Sequence, residues 1–325
     1  MPIHRDADID PAPLVGKRVA ILGYGNQGRA QALNLADSGI AVTVGLRPGS
    51  PSAARVTADG LCHSPLDQAV ADADLVMLLA PDETLAVLYR LVEPRLRPGA
   101  ALGFSHGLAI HFGLIAPRPD LDVIMVAPKG PGSALRSLFV EGKGMTGLFA
   151  VEQDASGTAE ALALAYGRAI GCGRVGLMRT TFAEECVADL FNEAAVVWGA
   201  VPDILVAGFD TLVEAGISAE VAYMECVGEL KLLAELIEAR GISAMREAIS
   251  NTAELGAVTG GPRIVDDRVR TEMRRILADI QNGGFAARLA AEEASGYPLL
   301  TEARTRAANL PVERARSALR NTLEA

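Results

Sequence analysis

Short apolar stretches alternate with helical ones along the first half of the chain, and this rhythm restricts the fold more than any other feature. The strand candidates are Arg18–Leu22, Ala41–Leu46, Asp74–Leu79, Ala101–Phe104, Val123–Val126 and Gly147–Val151, with a last short one at Arg174–Leu177. Most are continuous apolar runs, as expected for strands buried on both faces of a parallel sheet. Helical patterns such as Gln27–Ser38 and Asp82–Leu91 fall between them. The alternation predicts an α/β doubly wound sheet. From Phe182 the periodicity is helical: Phe182–Val197, Pro202–Ala215, Ala219–Arg240, Ile242–Asn251, Arg268–Gly283 and Phe285–Ser295, with Gly216 and Gly241 where helices should stop. The predicted organisation is a Rossmann-type domain over residues 1–181 and an all-helical domain over residues 182–325. Two domains also fit the length, at roughly 150 residues each.

A net charge of −10 argues against nucleic acid as a partner. No apolar run approaches the roughly 20 residues of a membrane span. The start, Met1-Pro2-Ile3-His4-Arg5-Asp6, lacks the apolar core of a signal peptide. Cys62, Cys172, Cys186 and Cys226 are scattered, which indicates neither a zinc site nor a disulfide framework. The expectation is a soluble, reduced, cytoplasmic protein with no membrane partner. The helical half carries more apolar faces than it needs, which predicts a homodimer or larger homo-oligomer.

The strand Arg18–Leu22 runs into Gly23-Tyr24-Gly25-Asn26-Gln27-Gly28 and then a helix. In this context the three glycines have the dinucleotide-binding spacing. The first makes the tight turn, the second lets backbone approach the pyrophosphate, and the third lets helix pack on sheet. An acid that would hold the ribose hydroxyls of NAD is absent from the end of the second strand. That strand ends in Gly45-Leu46-Arg47-Pro48-Gly49-Ser50-Pro51-Ser52. Arg47, Ser50 and Ser52 supply a charged fork and hydroxyls that suit a 2′-phosphate, so NADPH is the expected cofactor. An ordinary Pro-Gly-Ser turn would have the same composition.

Two carboxylate pairs stand four residues apart in helical segments: Asp189 with Glu193, and Glu225 with Glu229. On an α-helix that spacing stacks like charges on one face, where they repel. A hard divalent cation such as Mg²⁺ would reward them. A solvated acidic face is the plainer reading for either pair alone.

With these features in hand, the chain resembles ketol-acid reductoisomerase of the short, class I type, nearly end to end from Gly16 to about Arg320. The most specific segments are Gly45 to Ser50, Ser105-His106-Gly107 and Val126-Ala127-Pro128-Lys129-Gly130-Pro131-Gly132. Further along come Thr180-Thr181-Phe182-Ala183-Glu184-Glu185, Ala207-Gly208-Phe209, Thr211 to Gly216, Glu229-Leu230-Lys231-Leu232 and Ser250-Asn251-Thr252-Ala253-Glu254. The resemblance implies an alkyl migration in 2-acetolactate or 2-aceto-2-hydroxybutyrate, followed by NADPH reduction, in valine and isoleucine synthesis. It implies two Mg²⁺ ions and a knotted, dimerising helical domain. Asp189, Glu193, Glu225 and Glu229 would be metal ligands, one pair reaching the site from a partner subunit. Glu193 would also bridge the ions or hold a proton. Lys129 would lie near the metal-bound waters, His106 at the junction of cofactor and substrate, and Ser250 against the substrate. Tyr24 through Gln27, Arg47, Ser50, Ser52, Asp82, Glu83, Thr84, Leu85 and Gly132 would line the cofactor site. Lys129 and His106 both follow strand ends, where ligand crevices form in such sheets.

The sequence departs from the family pattern near this site. Leu108-Ala109 replaces the usual Phe-Asn, Ser133 a histidine, Ala194 a glutamine and Leu255 a tyrosine; Arg29 and Gln31 stand where histidines are common. A divergent housekeeping isomeroreductase fits these changes. So does a paralogue from a specialised pathway that reduces another 2-keto or imine substrate. A non-catalytic NADP-binding protein is the third alternative, and it would leave four carboxylates and Lys129 without a task.

Overall fold

A computed structural model describes residues 2–323, so Met1, part of the amino-terminal stretch read above, lies outside the described residues, as do the last two. The chain divides into two compact units, Met1–Ala188 and Asp189–Ala325.

The first unit is built on nine strands: β1 Ile3–His4, β2 Arg18–Leu22, β3 Ala41–Leu46, β4 Cys62–Pro65, β5 Leu75–Leu78, β6 Ala101–Phe104, β7 Asp122–Pro128, β8 Gly147–Gln153 and β9 Leu177–Arg179. They form one sheet in the order β1-β9-β8-β7-β6-β5-β2-β3-β4. The six strands from β4 to β7 run parallel in the Rossmann order. The rest departs from the all-parallel expectation. β8 runs antiparallel to β7, and β1 runs antiparallel to β9. The pleat explains the continuous apolar runs. Val19 and Ile21 face one buried cluster, with Leu35, Val126 and Tyr166, while Ala20 and Leu22 face a second, with Val76, Leu102 and Phe104. Both faces are covered, so neither alternate position can be polar.

Some expected boundaries move. The strand expected at Arg174–Leu177 is displaced to Leu177–Arg179, because Cys172–Arg174 forms a 3₁₀ turn and Gly176 takes a φ of +155°. The helix expected over Asp82–Leu91 is a 3₁₀ turn, Asp82–Thr84, that leads into the helix Leu85–Val92. Two edge strands, β1 and β4, carry no apolar run that would have revealed them; Cys62 and His63 are exposed. The helix Phe182–Ala195 begins inside the first unit. Phe182 packs edge-on against Phe104 at 5.9 Å, and Cys186 is fully buried. The first turns of this helix are therefore part of the sheet's core, and the two compact units divide after Ala188.

The second unit is helical: Ala200–Glu214, Ala219–Tyr223, Leu230–Glu247, Asn251–Ile264, Asp267–Gln281, Gly284–Ala294, Pro298–Ala308 and Pro311–Leu323. The continuous helix expected over Ala219–Arg240 is interrupted by a π turn at Met224–Gly228. Glu225 lies on that turn and Glu229 caps it, so the second carboxylate pair is not the α-helical pair its spacing predicts. π turns occur mostly as single-turn bulges and frequently at functional sites. Gly241 breaks the next helix with φ +73° and ψ +171°, and Gly216 follows the end of Ala200–Glu214 at φ +90°. Phe209, Ala222, Val312 and Ala315 make a small buried cluster. Trp198, Ile204, Leu232, Ile242, Leu255 and Ile264 are exposed.

The span Phe182–Glu214 is, by length and composition, long and apolar enough to cross a membrane, with a mean hydropathy of 1.6 over its most apolar window, of which 6% is buried. No such run was expected. The span joins two helices end to end across the turn at residues 196–199, and it carries Glu184, Glu185, Asp189 and Glu193.

Candidate active site

The glycine loop follows β2 at the point where the strand order reverses, between β2 and β5. Gly23 has φ +107°, and a Cβ there would sit 2.6 Å from Ala80 N and from Leu79 O. Only glycine allows that turn against the end of β5. At Gly28 a Cβ would lie 2.1 Å from Gly23 O, so the loop can fold onto the helix Asn26–Asp37 only without a side chain. At Gly25 a Cβ would meet no described atom within 4 Å. The backbone there is open, at the amino end of a 12-residue helix whose first-turn amides have no partner within the helix.

A second glycine loop locks onto the first. A Cβ at Gly132 would lie 2.1 Å from Asn26 O. Gln27 Nε2 donates to Gly130 O at 2.9 Å, and Ser133 N donates to Asn26 Oδ1 at 3.1 Å. Gln31, fully buried, ties the same helix to the ends of β6 and β7. Its amide donates to Ser105 Oγ at 2.9 Å and accepts from Tyr166 at 2.7 Å, while Ser105 donates to Val126 O at 2.9 Å. A buried amide of this kind has to find partners, and here both its ends do.

Other expected cofactor residues fall around the loop. Arg47 is exposed and makes no ion pair among the described residues. Ser50 Oγ accepts from Ser52 N at 3.3 Å, and Ser50 N donates to Arg47 O at 3.1 Å. Asp82, Glu83 and Thr84 form the turn after β5, and Leu85 is a core residue with its side chain buried. Tyr24 is 4% exposed and its hydroxyl donates to Asp59 at 2.8 Å, so only its backbone is left to line a cofactor.

The ends of β6 and β7 carry the polar cluster. Ser105-His106-Gly107 follows β6, and Lys129 follows Pro128 at the end of β7. Between them stands Glu185, 2% exposed, from the helix Phe182–Ala195. Glu185 Oε2 lies 3.0 Å from His106 Nδ1 and accepts from Gly107 N at 2.8 Å. Its Oε1 lies 3.6 Å from Lys129 Nζ. Gly107 must lack a side chain, because a Cβ would sit 2.2 Å from Phe182 O. Burial alone would lower the His106 pKa. Hydrogen bonds to Cys186 and Glu185, and the charges of Glu185 and Asp82, outweigh it and hold the pKa well above the usual 6.5.

Glu185 is the residue sequence reasoning missed. It ends the Thr180–Glu185 string that carries part of the resemblance. The available signal is its spacing: Glu185, Asp189 and Glu193 put a carboxylate on every turn of one helix. Asp189 is half-buried and Glu193 is exposed. Glu225 and Glu229 are exposed on the surface of the helical unit. Ser250 is exposed and caps the helix Asn251–Ile264, its Oγ accepting from Ala253 N at 3.2 Å.

The sheet order and the uncovered glycine turn define a dinucleotide-dependent oxidoreductase of the Rossmann type. Two family descriptions divide the chain between them: acetohydroxy acid isomeroreductase, NADPH-binding domain, over residues 13–176, and ketol-acid reductoisomerase, C-terminal domain, over residues 182–325. The chain belongs to the ketol-acid reductoisomerase family. An NADH-preferring ketol-acid reductoisomerase from an uncultured archean matches it at 41% identity over 99% of both chains, with a TM-score of 0.95. A semialdehyde dehydrogenase NAD-binding protein from Cupriavidus necator, solved with calcium and NAD, has a TM-score of 0.64 at 20% identity, covering 82% of this chain and 99% of that one. Pyrroline carboxylate reductase of Plasmodium falciparum, with NADP bound, has a TM-score of 0.56 at 14% identity, covering 83% and 98%. At those identities the last two are likenesses of fold alone.

Proposed function

We propose that this enzyme converts 2-acetolactate and 2-aceto-2-hydroxybutyrate to 2,3-dihydroxy-3-methyl acids, by Mg²⁺-dependent alkyl migration and then NADPH reduction, in valine and isoleucine synthesis. The observation that carries the reading is the His106–Glu185–Lys129 cluster at the carboxyl ends of β6 and β7, tied through Gly130 and Gln27 to the dinucleotide loop. Asp189, Glu193, Glu225 and Glu229 are an all-oxygen, anionic donor set, and such a set fits Mg²⁺. Bound there, the ions supply Lewis acidity to the ketone and alcohol oxygens of the substrate. Lys129, held by Glu185, places an ammonium where the hydroxyl proton must leave. His106, kept cationic, places a second positive charge at the neighbouring strand end for the oxygen that gains charge during hydride transfer. Glu193 would help hold the ions or take the proton released during migration, and Ser250 would bind the substrate. An NADPH-oxidation assay with 2-acetolactate, with and without Mg²⁺, tests the whole reading. Turnover of 3-hydroxy-3-methyl-2-oxobutyrate alone would leave a reductase without migration, and turnover of neither would point to a changed substrate.

For the cofactor, Arg47 is exposed, makes no ion pair among the described residues and is joined by two hydroxyls, with no carboxylate in the loop. This favours NADPH, although the archaeal relative prefers NADH. The expected result is a higher kcat/KM for NADPH. Arg47→Ala should lower that value about tenfold or more, the scale of a charge-assisted bond, and leave NADH within about threefold. A wild-type preference for NADH would overturn the assignment.

We also propose that the helical unit is completed by a second copy of the chain. Its own buried cluster is small, and large apolar side chains from Trp198 to Ile264 lie uncovered. Exposed patches of this extent mark interfaces. Sedimentation showing a stable monomer would remove the proposal.

A further inference from the structure

Asp59 stands at the carboxyl end of the helix Ser52–Ala58, where a negative charge opposes the helix dipole. Something outside that helix must compensate it. Arg29, on the first turn of the helix Asn26–Asp37, grips the carboxylate with two parallel bonds, Nε to Oδ2 at 2.6 Å and a terminal nitrogen to Oδ1 at 2.7 Å. The Tyr24 hydroxyl, from within the glycine loop, donates to the same Oδ2 at 2.8 Å. These bonds hold the Asp59 carboxyl below the usual carboxylate range. The Asp59 side chain is 14% exposed, so the contact is shielded enough to hold its geometry. The guanidinium's planar fork makes this two-bond grip, which an imidazole at position 29 could not.

The consequence is mechanical. Tyr24 and Arg29 belong to the pyrophosphate loop and its helix. Asp59 ends the element that begins at Ser52, the last residue of the Arg47–Ser52 loop. We infer that the Arg29–Asp59–Tyr24 clasp is a positioning device that fixes the distance between the pyrophosphate loop and the 2′-phosphate loop. The inference rests on the dinucleotide reading above. A ligand that spans both loops gains from their preset spacing, whereas a ligand that sits on one loop does not.

Binding measured by calorimetry separates these cases without any turnover. NADPH is the spanning probe and 2′-AMP, read by direct titration or by competition, is the half probe. In Arg29→Met and in Asp59→Ala, the NADPH Kd should rise about tenfold while the 2′-AMP Kd stays within about twofold. The double variant should bind NADPH no more weakly than Asp59→Ala alone, since both changes open one clasp. Arg29→Met leaves the buried Tyr24–Asp59 bond in place, so it reports even if Asp59→Ala fails to fold. Equal weakening of both probes would mean that Arg29 serves the adenosine end directly and would overturn the inference, as would unchanged NADPH binding. A wild-type protein that binds no NADPH would instead remove the cofactor reading itself.

Discussion

Replacing Glu185 with glutamine is expected to cut kcat by about a hundredfold or more while the protein still folds. The carboxylate is buried and fully used: one oxygen serves His106 Nδ1 and Gly107 N, the other faces Lys129. Glutamine keeps the shape but removes the charge. One of its ends becomes an NH₂, which has to face a cation or an N–H. Breaking a buried pair from one side typically costs about 3–5 kcal/mol, because the remaining charge is left without compensation. His106 responds by losing its proton. In the wild type its folded pKa lies above the ordinary 6.5. The pairing therefore stabilises the fold fully below the unfolded value, near 6.5, and that contribution is lost as pH rises through the raised folded value. The imidazole resonances of His106 should accordingly titrate above the ordinary 6.5 in the wild type, and at a lower pH in Glu185→Gln. A wild-type His106 that titrates at about 6.5 would mean the anion is not coupled to it. If Glu185→Gln retains full kcat, the cluster has no part in the chemistry.

The parallel core was legible because strands buried on both faces must be apolar at every position. The same argument explains what was not legible. β1 and β4 lie at the sheet's edges, where alternate residues meet water and no apolar run is required. β9 is too short for its pattern to outweigh a glycine-rich approach. The antiparallel entry of β8 was invisible, since a strand covered on both faces reads alike in either direction. In the helical unit the glycine stops at Gly216 and Gly241 were readable, but the π turn at Met224–Gly228 was not. One inserted residue changes which side chains share a face without changing the local composition, so the four-residue spacing of Glu225 and Glu229 led to the wrong helix type. At the site, the loops were readable because glycine has few other reasons to occur in threes after a strand. Glu185 was not, because a glutamate in a helix is ordinarily a surface residue, and only the fold shows the cations that bury it.

Glu193→Gln should abolish turnover, by at least about a thousandfold or ~4 kcal/mol of barrier, and leave the NADPH Kd within a few-fold. The two halves of this expectation come from different parts of the chain. The dinucleotide loops, Gly23 to Gly28, Arg47 to Ser52 and Gly130 to Gly132, belong entirely to the first compact unit. Glu193 lies in the other, one turn beyond Asp189, and is itself exposed. Within the proposed donor set it contributes an anion, and an amide oxygen is a neutral ligand, so Mg²⁺ affinity falls with the charge. Direct Mg²⁺ titration of the variant should therefore show weakened binding in the same preparation that still binds NADPH. A helix-face charge with no ligand role predicts the opposite pattern: unchanged Mg²⁺ binding, and turnover altered by less than a few-fold, because removing one of two like charges a turn apart slightly stabilises a helix. Retained turnover with retained Mg²⁺ binding would thus dismiss the metal assignment. Loss of NADPH binding would show that the helical carboxylates shape the cofactor site.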